Sequence, residues 1–523
     1  MRHYERNLRW VLAHRSLTLG ATLMTLVATI YLYVVIPKGF LPQQDTGLIV
    51  GVAEAAQDVS FPQAIGAESR GQRYRSPRPG CRRRGGFVGV GTLNTTPNTG
   101  RLYIPLKPRR DRMASADQVI ARLRQAVAAV PGVILLMQAA QEVQLDNRVT
   151  RAQYQYVLQD TDVPELMRWA PKIEQALRRR PELRDVASDQ QEGGSQASLV
   201  IYREKAAGLG VLPQEIDATL YDAFGQRPIS TIYTQLNYYR VILEVEPRFR
   251  DDPSDLNSIY VKSVSGEQVP LSAFARFETK VAPLAITHVG RFPAVILSFN
   301  LAPGFSLGEA VDAIAATERA IALPDSIATA FSGGAAEFRA ASSTEWMLIL
   351  AAIIVVYIVL GVLYESYIHP VTILSALPAA GVGALLALLL LGYDLSVISL
   401  IGIVLLMGIV KKNAIIMIDF ALEAERNRGY RSEQAILDAC LLRFRPIMMT
   451  TLTALFGALP VAIGTGAGSE LRRPMGVAIV GGLLVSQFLT LYTVPVIYLA
   501  FSRLARSAEL RLPRFRSEAG APR

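Results

Sequence analysis

The sequence predicts an α-helical membrane protein with six transmembrane helices and an inserted α+β region outside the membrane. Three observations carry this. The chain of 523 residues is 51% hydrophobic yet 19% charged, with mean hydropathy +0.27. That is too apolar for an ordinary soluble protein and too charged for membrane helices alone. Six apolar stretches are each long enough to cross a core of about 30 Å at about 1.5 Å per residue. Arginines cluster beside those stretches with a one-sided bias.

The first stretch, Ser16–Ile36, is uncharged and is stopped by Pro37-Lys38-Gly39. It is too long for a cleavable signal, and no small-residue cleavage site follows it. The second runs Trp346–Tyr364 between Glu345 and Glu365, and the third Pro370–Tyr393. The fourth is Leu395–Leu422, the fifth Pro446–Ser469 and the sixth Met475–Phe501. Arg2, Arg6, Arg9 and Arg15 precede the first span. Arg426, Arg428, Arg431, Arg443 and Arg445 lie between the fourth and fifth, and Arg503, Arg506, Arg511, Arg514 and Arg516 follow the last. Six spans put all three groups on one side, which the positive-inside rule makes cytoplasmic; Arg472 and Arg473 violate it mildly. Both termini are then expected inside, with residues 38–345 on the other side.

That exterior region alternates strand-like runs (Leu48–Ala53, Tyr103–Leu106, Tyr154–Gln159, Ser198–Tyr202, Arg240–Val245, Ala294–Leu301) with amphipathic helical stretches at Ser115–Val130, Val163–Arg179 and Ser306–Ala320. Pro164 and Pro213 mark helix starts, and Pro131-Gly132 closes a helix before a strand. The alternation predicts two βαβ-type units, over roughly 40–140 and 150–330, with helices on one sheet face. A strand-rich segment at about 196–285 interrupts the second and holds the hairpin candidate STIYTQLNYYR. The domain boundaries expected are 1–37, 38–145, 146–345, 346–502 and a basic tail at 503–523.

Residues 70–85, RGQRYRSPRPGCRRRG, fit none of this: seven arginines and two prolines occur without hydrophobic period. One reading is a patch for nucleic acid or heparin. The other, which the ordinary flanking sequence favours, is a frameshifted stretch whose alternate frame encodes an amphipathic helix.

Chemistry concentrates in the fourth span, LSVISLIGIVLLMGIVKKNAIIMIDFAL. Lys411, Lys412, Asn413 and Asp419 interrupt an otherwise apolar run, and Lys412 falls near mid-membrane. A buried ammonium there costs at least about 2.5–3.5 kcal/mol, so it should face a carboxylate or water. The alternative is that both lysines snorkel to an interface. An intramembrane cation without a partner in its own chain points to ion-coupled transport. Other classes fall away. The two cysteines, Cys81 and Cys440, sit in unrelated contexts, and four histidines form no metal motif. The net charge of +10 comes with span-flanking arginines, so no nucleic-acid partner is expected. No nucleophile elbow or P-loop is present, so no enzyme is expected.

GFLPQQDTG at 39–47, GTLNTTPNTG at 91–100, STIYTQLN at 230–237, VLYESYIHP at 362–370, GIVKKNAIIMIDFA at 408–421, LLRFRPIMMTT at 441–451 and GAGSELRRPMG at 466–476 together carry a family likeness. They resemble the carboxy-terminal half of a resistance–nodulation–division (RND) multidrug efflux permease. The likeness is greatest to the heteromeric permeases of the novobiocin and bile-salt exporter. The resemblance implies a trimer, homomeric or heteromeric, in the Gram-negative inner membrane that exchanges protons for amphiphilic drugs. It works with a periplasmic adaptor protein and an outer-membrane channel. It implies ferredoxin-like split βαβ porter subdomains in the periplasm, a docking segment at about 196–285, and no cofactor beyond the proton-motive force.

The resemblance assigns the proton relay to Lys412, Thr450 and, at the cytoplasmic mouth, Arg443, with Asn413 beside the lysine and Asp419 as a helper or structural group. Thr450 is equally read as a hydroxyl bonded back to its own helix. Gly86, Gly89, Gly91 and Gly100 fall in the family's switch loop, where glycines suit a changing backbone. Phe87 and Tyr103 would reach a deep drug pocket, and Leu135 and Met137 the mouth of the cleft; alternatively all four fill the subdomain core. The family's aspartate pair lies on an amino-terminal half that this chain does not contain, and no span here holds adjacent carboxylates. The chain is then either one half of a proton-driven exporter, needing that amino-terminal half, or a non-transporting structural subunit or degenerate fragment. A heavy-metal exporter of the same superfamily would want clustered methionines, whereas Met113, Met137 and Met167 are scattered.

Overall fold

A computed structural model describes residues 2–57, 85–89, 96–127, 132–143, 151–191, 193–249, 253–466 and 468–509. The arginine-rich stretch 70–85, Gly85 apart, lies outside the described residues, as do Gly91 and most of the basic tail. Helix α1 (Arg2–Ala13) is followed, after a break at His14, by α2 (Arg15–Val35), the first apolar span.

In the first α+β subdomain, strands β1 (Leu48–Ala55), β2 (Gly85–Val88), β3 (Thr99–Pro105) and β4 (Val133–Ala139) form an antiparallel sheet in the order β2-β3-β1-β4. Since β1 is antiparallel to both β3 and β4, those two run the same way on either side of it. Helix α3 (Ala116–Val127) joins them across one face. Ile49, Leu102, Ile104, Leu135 and Met137 pack there against Val119, Ile120 and Leu123, spaced as one side of a helix.

The second subdomain repeats the device twice. Strand β5 (Tyr154–Gln159), α4 (Val163–Arg178) and β6 (Leu183–Ser188) are followed, after the segment described next, by β13 (His288–Val289), β14 (Phe292–Leu301), α7 (Leu307–Ile321) and β15 (Ala328–Ser332). β14 lies between β5 and β6, and β5 between β14 and β15, all antiparallel. Asp162 caps α4 through the Glu165 amide, with Pro164 in the first turn. Ser306 and Glu309 make a reciprocal capping box on α7. Both helices bury their apolar sides on the tyrosines and leucines of the sheet.

Residues Gln190–Ile286 form a compact unit of their own. Strand β7 (Gly194–Ile201) pairs with β12 (Ala275–Ala282) over a core of Val211, Val261, Leu271 and Phe274. Helices α5 (Arg203–Gly208) and α6 (Pro213–Phe224) and the short pair β10 (Tyr260–Lys262) and β11 (Gln268–Pro270) complete it. The hairpin candidate is β8 (Arg227–Tyr233) and β9 (Tyr238–Leu243), turning at Thr234–Asn237 and carrying Tyr233 and Leu236 at its exposed tip.

The remaining helices are α8 (Gly334–Tyr364), α9 (His369–Leu374), α10 (Leu377–Leu390), α11 (Val397–Arg428), α12 (Ser432–Ile463) and α13 (Ser469–Glu509). Taking α9 and α10 as one broken span, six helices among the described residues are long and apolar enough to cross a membrane. Three helix starts fall six residues or more before the sequence reading. α8 starts at Gly334, because Ala335 and Phe338 join the core of the second subdomain. α12 begins at Ser432 with Pro446 inside it, since Ile436, Ala439 and Cys440 already pack on the bundle. α13 begins at Ser469 and carries Pro474 and Pro495 in its interior. Proline is tolerated inside membrane helices, where neighbours satisfy the freed carbonyl. α10 and α13 cross closely through glycines: a Cβ on Gly383 would stand 2.6 Å from the Gly481 carbonyl oxygen.

Candidate functional site

Helix α11 carries Lys412 near its middle. Ser396 and Ser399 cap its start reciprocally, and Gly429 at φ +66° ends it in the left-handed conformation that glycine adopts freely. Leu406, Val410, Asn413, Ala414, Met417 and Ala421 recur at helical spacing and bury one face in the bundle. Lys412 stands on the opposite, exposed face and lines a cavity of about 340 Å³ with Gly408, Asn413, Thr450, Thr451 and Ala454. Among the described residues no carboxylate pairs with it. Asn413 Nδ2 donates to Thr451 Oγ1 at 3.0 Å, a buried bond that locks α11 to α12 beside the cavity. Thr450 bonds back to the Ile447 carbonyl at 3.1 Å while its side chain lines the same cavity.

Arg443 and Asp419 sit elsewhere on the two helices. The Arg443 guanidinium stacks 4.3 Å over the Phe420 ring, and its Nε has no hydrogen-bond partner among the described residues. Asp419 is exposed, two turns and about 10 Å along α11 from Lys412.

The residues expected to touch substrate divide between two faces of one sheet. Phe87 is 57% exposed and meets Tyr103 edge-on at 6.4 Å, both on the face away from α3. Leu135 and Met137 point into the core, 8% and 1% exposed. Met137 also borders a polar cavity of about 350 Å³ between the two subdomains, lined by Asp117, Arg124, Tyr154, Asp185 and Asp394. Gly86 and Gly100 belong to the paired strands β2 and β3, and Gly89 follows at φ +90° with its amide donating to the Thr99 carbonyl. Met113 is fully exposed, Met137 lies in the first core and Met167 packs against the second, so the three methionines do not converge.

Sequence reasoning missed the junction that ties α11 to the α+β region. Lys38 and Leu395 form a parallel bridge: the Gly39 amide donates to the Leu395 carbonyl and the Leu395 amide to that of Pro37. The Gly308 amide at the start of α7 donates to the Lys38 carbonyl at 2.9 Å. Beside it, desolvation and then the Glu309 charge push the Asp394 carboxyl up to about 6. The signal was the GFLPQQDTG motif itself. Its Asp45 binds Arg112 and accepts the Ala116 amide at 3.0 Å, capping α3. Burial alone would raise the Asp45 carboxyl, but Arg112 and the Ala116 and Gly47 amides hold it below the usual range. The neighbouring Asp117 is raised, by desolvation first and the Asp45 charge second.

The chain matches the AcrB/AcrD/AcrF family over residues 1–502 and belongs to it. Its fold is that of an RND permease. Two crystal structures of a heavy metal efflux pump, in crystal forms II and I, align with it at TM-scores of 0.84 and 0.83 and 24% identity. Each alignment covers 96% of this chain and 52% of the other, so the chain spans about half the length of those pumps. At that identity the likeness speaks for the fold.

Proposed function

We propose that this chain is the carboxy-terminal half of a proton-driven RND exporter of amphiphilic drugs, nearest in kind to the heteromeric novobiocin and bile-salt permeases. One observation carries the reading. Lys412 and Thr450 face one cavity on the outside of the bundle, and no described carboxylate neutralises the lysine. An exposed ammonium at mid-helix in a membrane is costly unless another surface covers it with negative charge. An amino-terminal half bearing a pair of carboxylates supplies that charge. Protonating the acids releases the lysine, and the helices move. Thr450 offers its hydroxyl to the freed carboxyl, and Arg443 holds the cytoplasmic mouth. Coverage of about half of the matched pumps supports the same division.

In this reading the two α+β subdomains are ferredoxin-like porter units in the periplasm, Gln190–Ile286 is the docking segment, and the chain lies in the inner membrane with both termini cytoplasmic. Phe87 and Tyr103 serve the deep drug pocket and Leu135 and Met137 the mouth of the cleft; the burial of the last two supports the alternative, packing in the subdomain core. The assembly is a trimer meeting an adaptor protein and an outer-membrane channel, and the proton-motive force is its energy source. The second reading, a non-transporting or degenerate subunit, is favoured by the absence of adjacent carboxylates in any span.

Dye accumulation in efflux-deficient cells separates the two. The chain is expressed with a related amino-terminal half as a second polypeptide, beside a Lys412→Ala version. Lower accumulation that Lys412→Ala abolishes supports the exporter half. No change, with both polypeptides found in the membrane, refutes it.

A further inference from the structure

Helix α1 was read from the sequence only as a source of arginines, and its packing gives it more to do. Tyr4 and Leu8 are 6% and 0% exposed and face the bundle. The Tyr4 hydroxyl donates to the Leu491 carbonyl at 3.2 Å, and its ring stacks on Phe444 at 4.5 Å. At about 100° per residue the opposite side of the helix presents Arg2, Arg6, Arg9 and Trp10. All four are exposed, Trp10 by 53%. Glu5 pairs with Arg9 at 2.7 Å, which leaves a surplus of two positive charges on that side. Arg426, Arg428 and Arg431 are exposed around the end of α11 and add to the field.

The helix also has a fixed depth. Only His14 separates α1 from the span that begins at Arg15, and Trp10 lies about 7.5 Å of helical rise from that start. Leu17 and Leu23, just inside the span, are 61% and 63% exposed. A tryptophan and arginines at that level match the headgroup region, where amphipathic rings settle and phosphates lie.

We propose that the outer face of α1 is a docking surface for anionic phospholipid headgroups, so that the bilayer holds α1 against the base of α12 and α13. Phosphodiesters meet Arg2, Arg6 and Arg9, and Trp10 seats among the glycerol ester groups. The inner face carries the consequence: Tyr4 grips Phe444, the chain neighbour of Arg443, so lipid bound outside steadies the segment of α12 next to that arginine. The docking requires only that the chain sits in a bilayer, so it stands or falls separately from the proton-relay reading.

The test uses the full chain with Trp169→Phe and Trp346→Phe, leaving Trp10 as the sole tryptophan. It is reconstituted in phosphatidylcholine vesicles containing brominated phosphatidylglycerol or, at the same mole fraction, brominated phosphatidylcholine. Quenching of Trp10 should give a relative association constant about 25-fold higher for phosphatidylglycerol, from about fivefold per surplus charge. The preference should fall toward unity in about 1 M salt, where the screening length is about 3 Å, and in Arg2→Gln/Arg6→Gln/Arg9→Gln. Equal quenching by the two lipids in the parent overturns the proposal whether or not the triple variant folds. Absence of quenching by either lipid overturns it in favour of a soluble acidic partner. Loss of the preference on adding inorganic phosphate at constant ionic strength overturns it in favour of a free-anion site.

Discussion

Replacing Arg112 by methionine should release the first helix of the α+β region. The side chains of Arg112 and Asp45 are 4% and 10% exposed, so their pairing is made almost entirely out of water. Arg112 also donates to the Lys107 carbonyl at 2.9 Å and the Ala114 carbonyl at 2.7 Å. Asp45 in turn accepts the amides of Ala116 and Gly47 at 3.0 and 3.3 Å. Methionine keeps most of the volume but strands a buried carboxylate and two carbonyls, at a cost of about 3–5 kcal/mol. The loss is local, so it is read by hydrogen exchange along Ala116–Val127, whose protection should drop by about two orders of magnitude or more. Arg112→Met with Asp45→Asn should recover part of it, because the stranded charge is gone. The pair has a pH signature too. Because the folded Asp45 carboxyl lies below its ordinary value, the contribution is complete above about pH 4 and is lost as pH falls through the folded value. A drop in protection smaller than about tenfold, with no recovery in the double variant, would refute the reasoning.

Three further outcomes are expected. Thr451→Val removes the acceptor of the buried Asn413 amide, costs about 1–2 kcal/mol and lowers the melting midpoint in detergent, while Thr451→Ser restores it; an unchanged midpoint in the valine variant counts against the bond. The Asp394 carboxyl is raised, so the folded form binds its proton more tightly and stability falls as pH rises from about 4 to 6. Asp394→Asn should therefore raise the melting midpoint at about pH 7.5 and barely at about pH 4.5, by less than about 1 kcal/mol because the side chain is partly in water; equal gains at both refute it. Gly383→Ala puts a methyl 2.6 Å from the Gly481 carbonyl oxygen and 2.7 Å from the Val485 Cβ, and should cost about 1–3 kcal/mol. Gly457→Ala, which meets nothing within 4 Å, is the control, and equal melting midpoints for the two refute the close crossing.

What the sequence made legible followed from periodicity. The 3.6-residue stripe of Val163–Arg178 names its own partner, because burial selects one face, while β1 and β14 read as strands through short continuous apolar runs. Lys412 was legible because charge in an apolar run is rare. Helix ends were less so. Pro446 reads as a helix start by local rules, yet the bundle overrides them by burying Ile436 and Cys440, about three and two turns earlier. The placement of Leu135 and Met137 required strand register: opposite Ala53 and Gly51 they fall on the α3 side, and a shift of one residue would reverse that. The Lys38–Leu395 bridge joins residues far apart in sequence through backbone groups, which carry no side-chain signal.

Helix α8 runs unbroken for 31 residues, about 46 Å, with no proline along it. Its first turns are cemented into the second subdomain through Ala335 and Phe338, while Trp346 onward is apolar enough for lipid. Such a rod has no joint at the water–membrane boundary. A tilt of about 10° at one end swings the other by about 8 Å. Any rotation of the second subdomain and a leaning of the span are then one displacement seen from two sides, which a surrounding bilayer would feel as a sideways push.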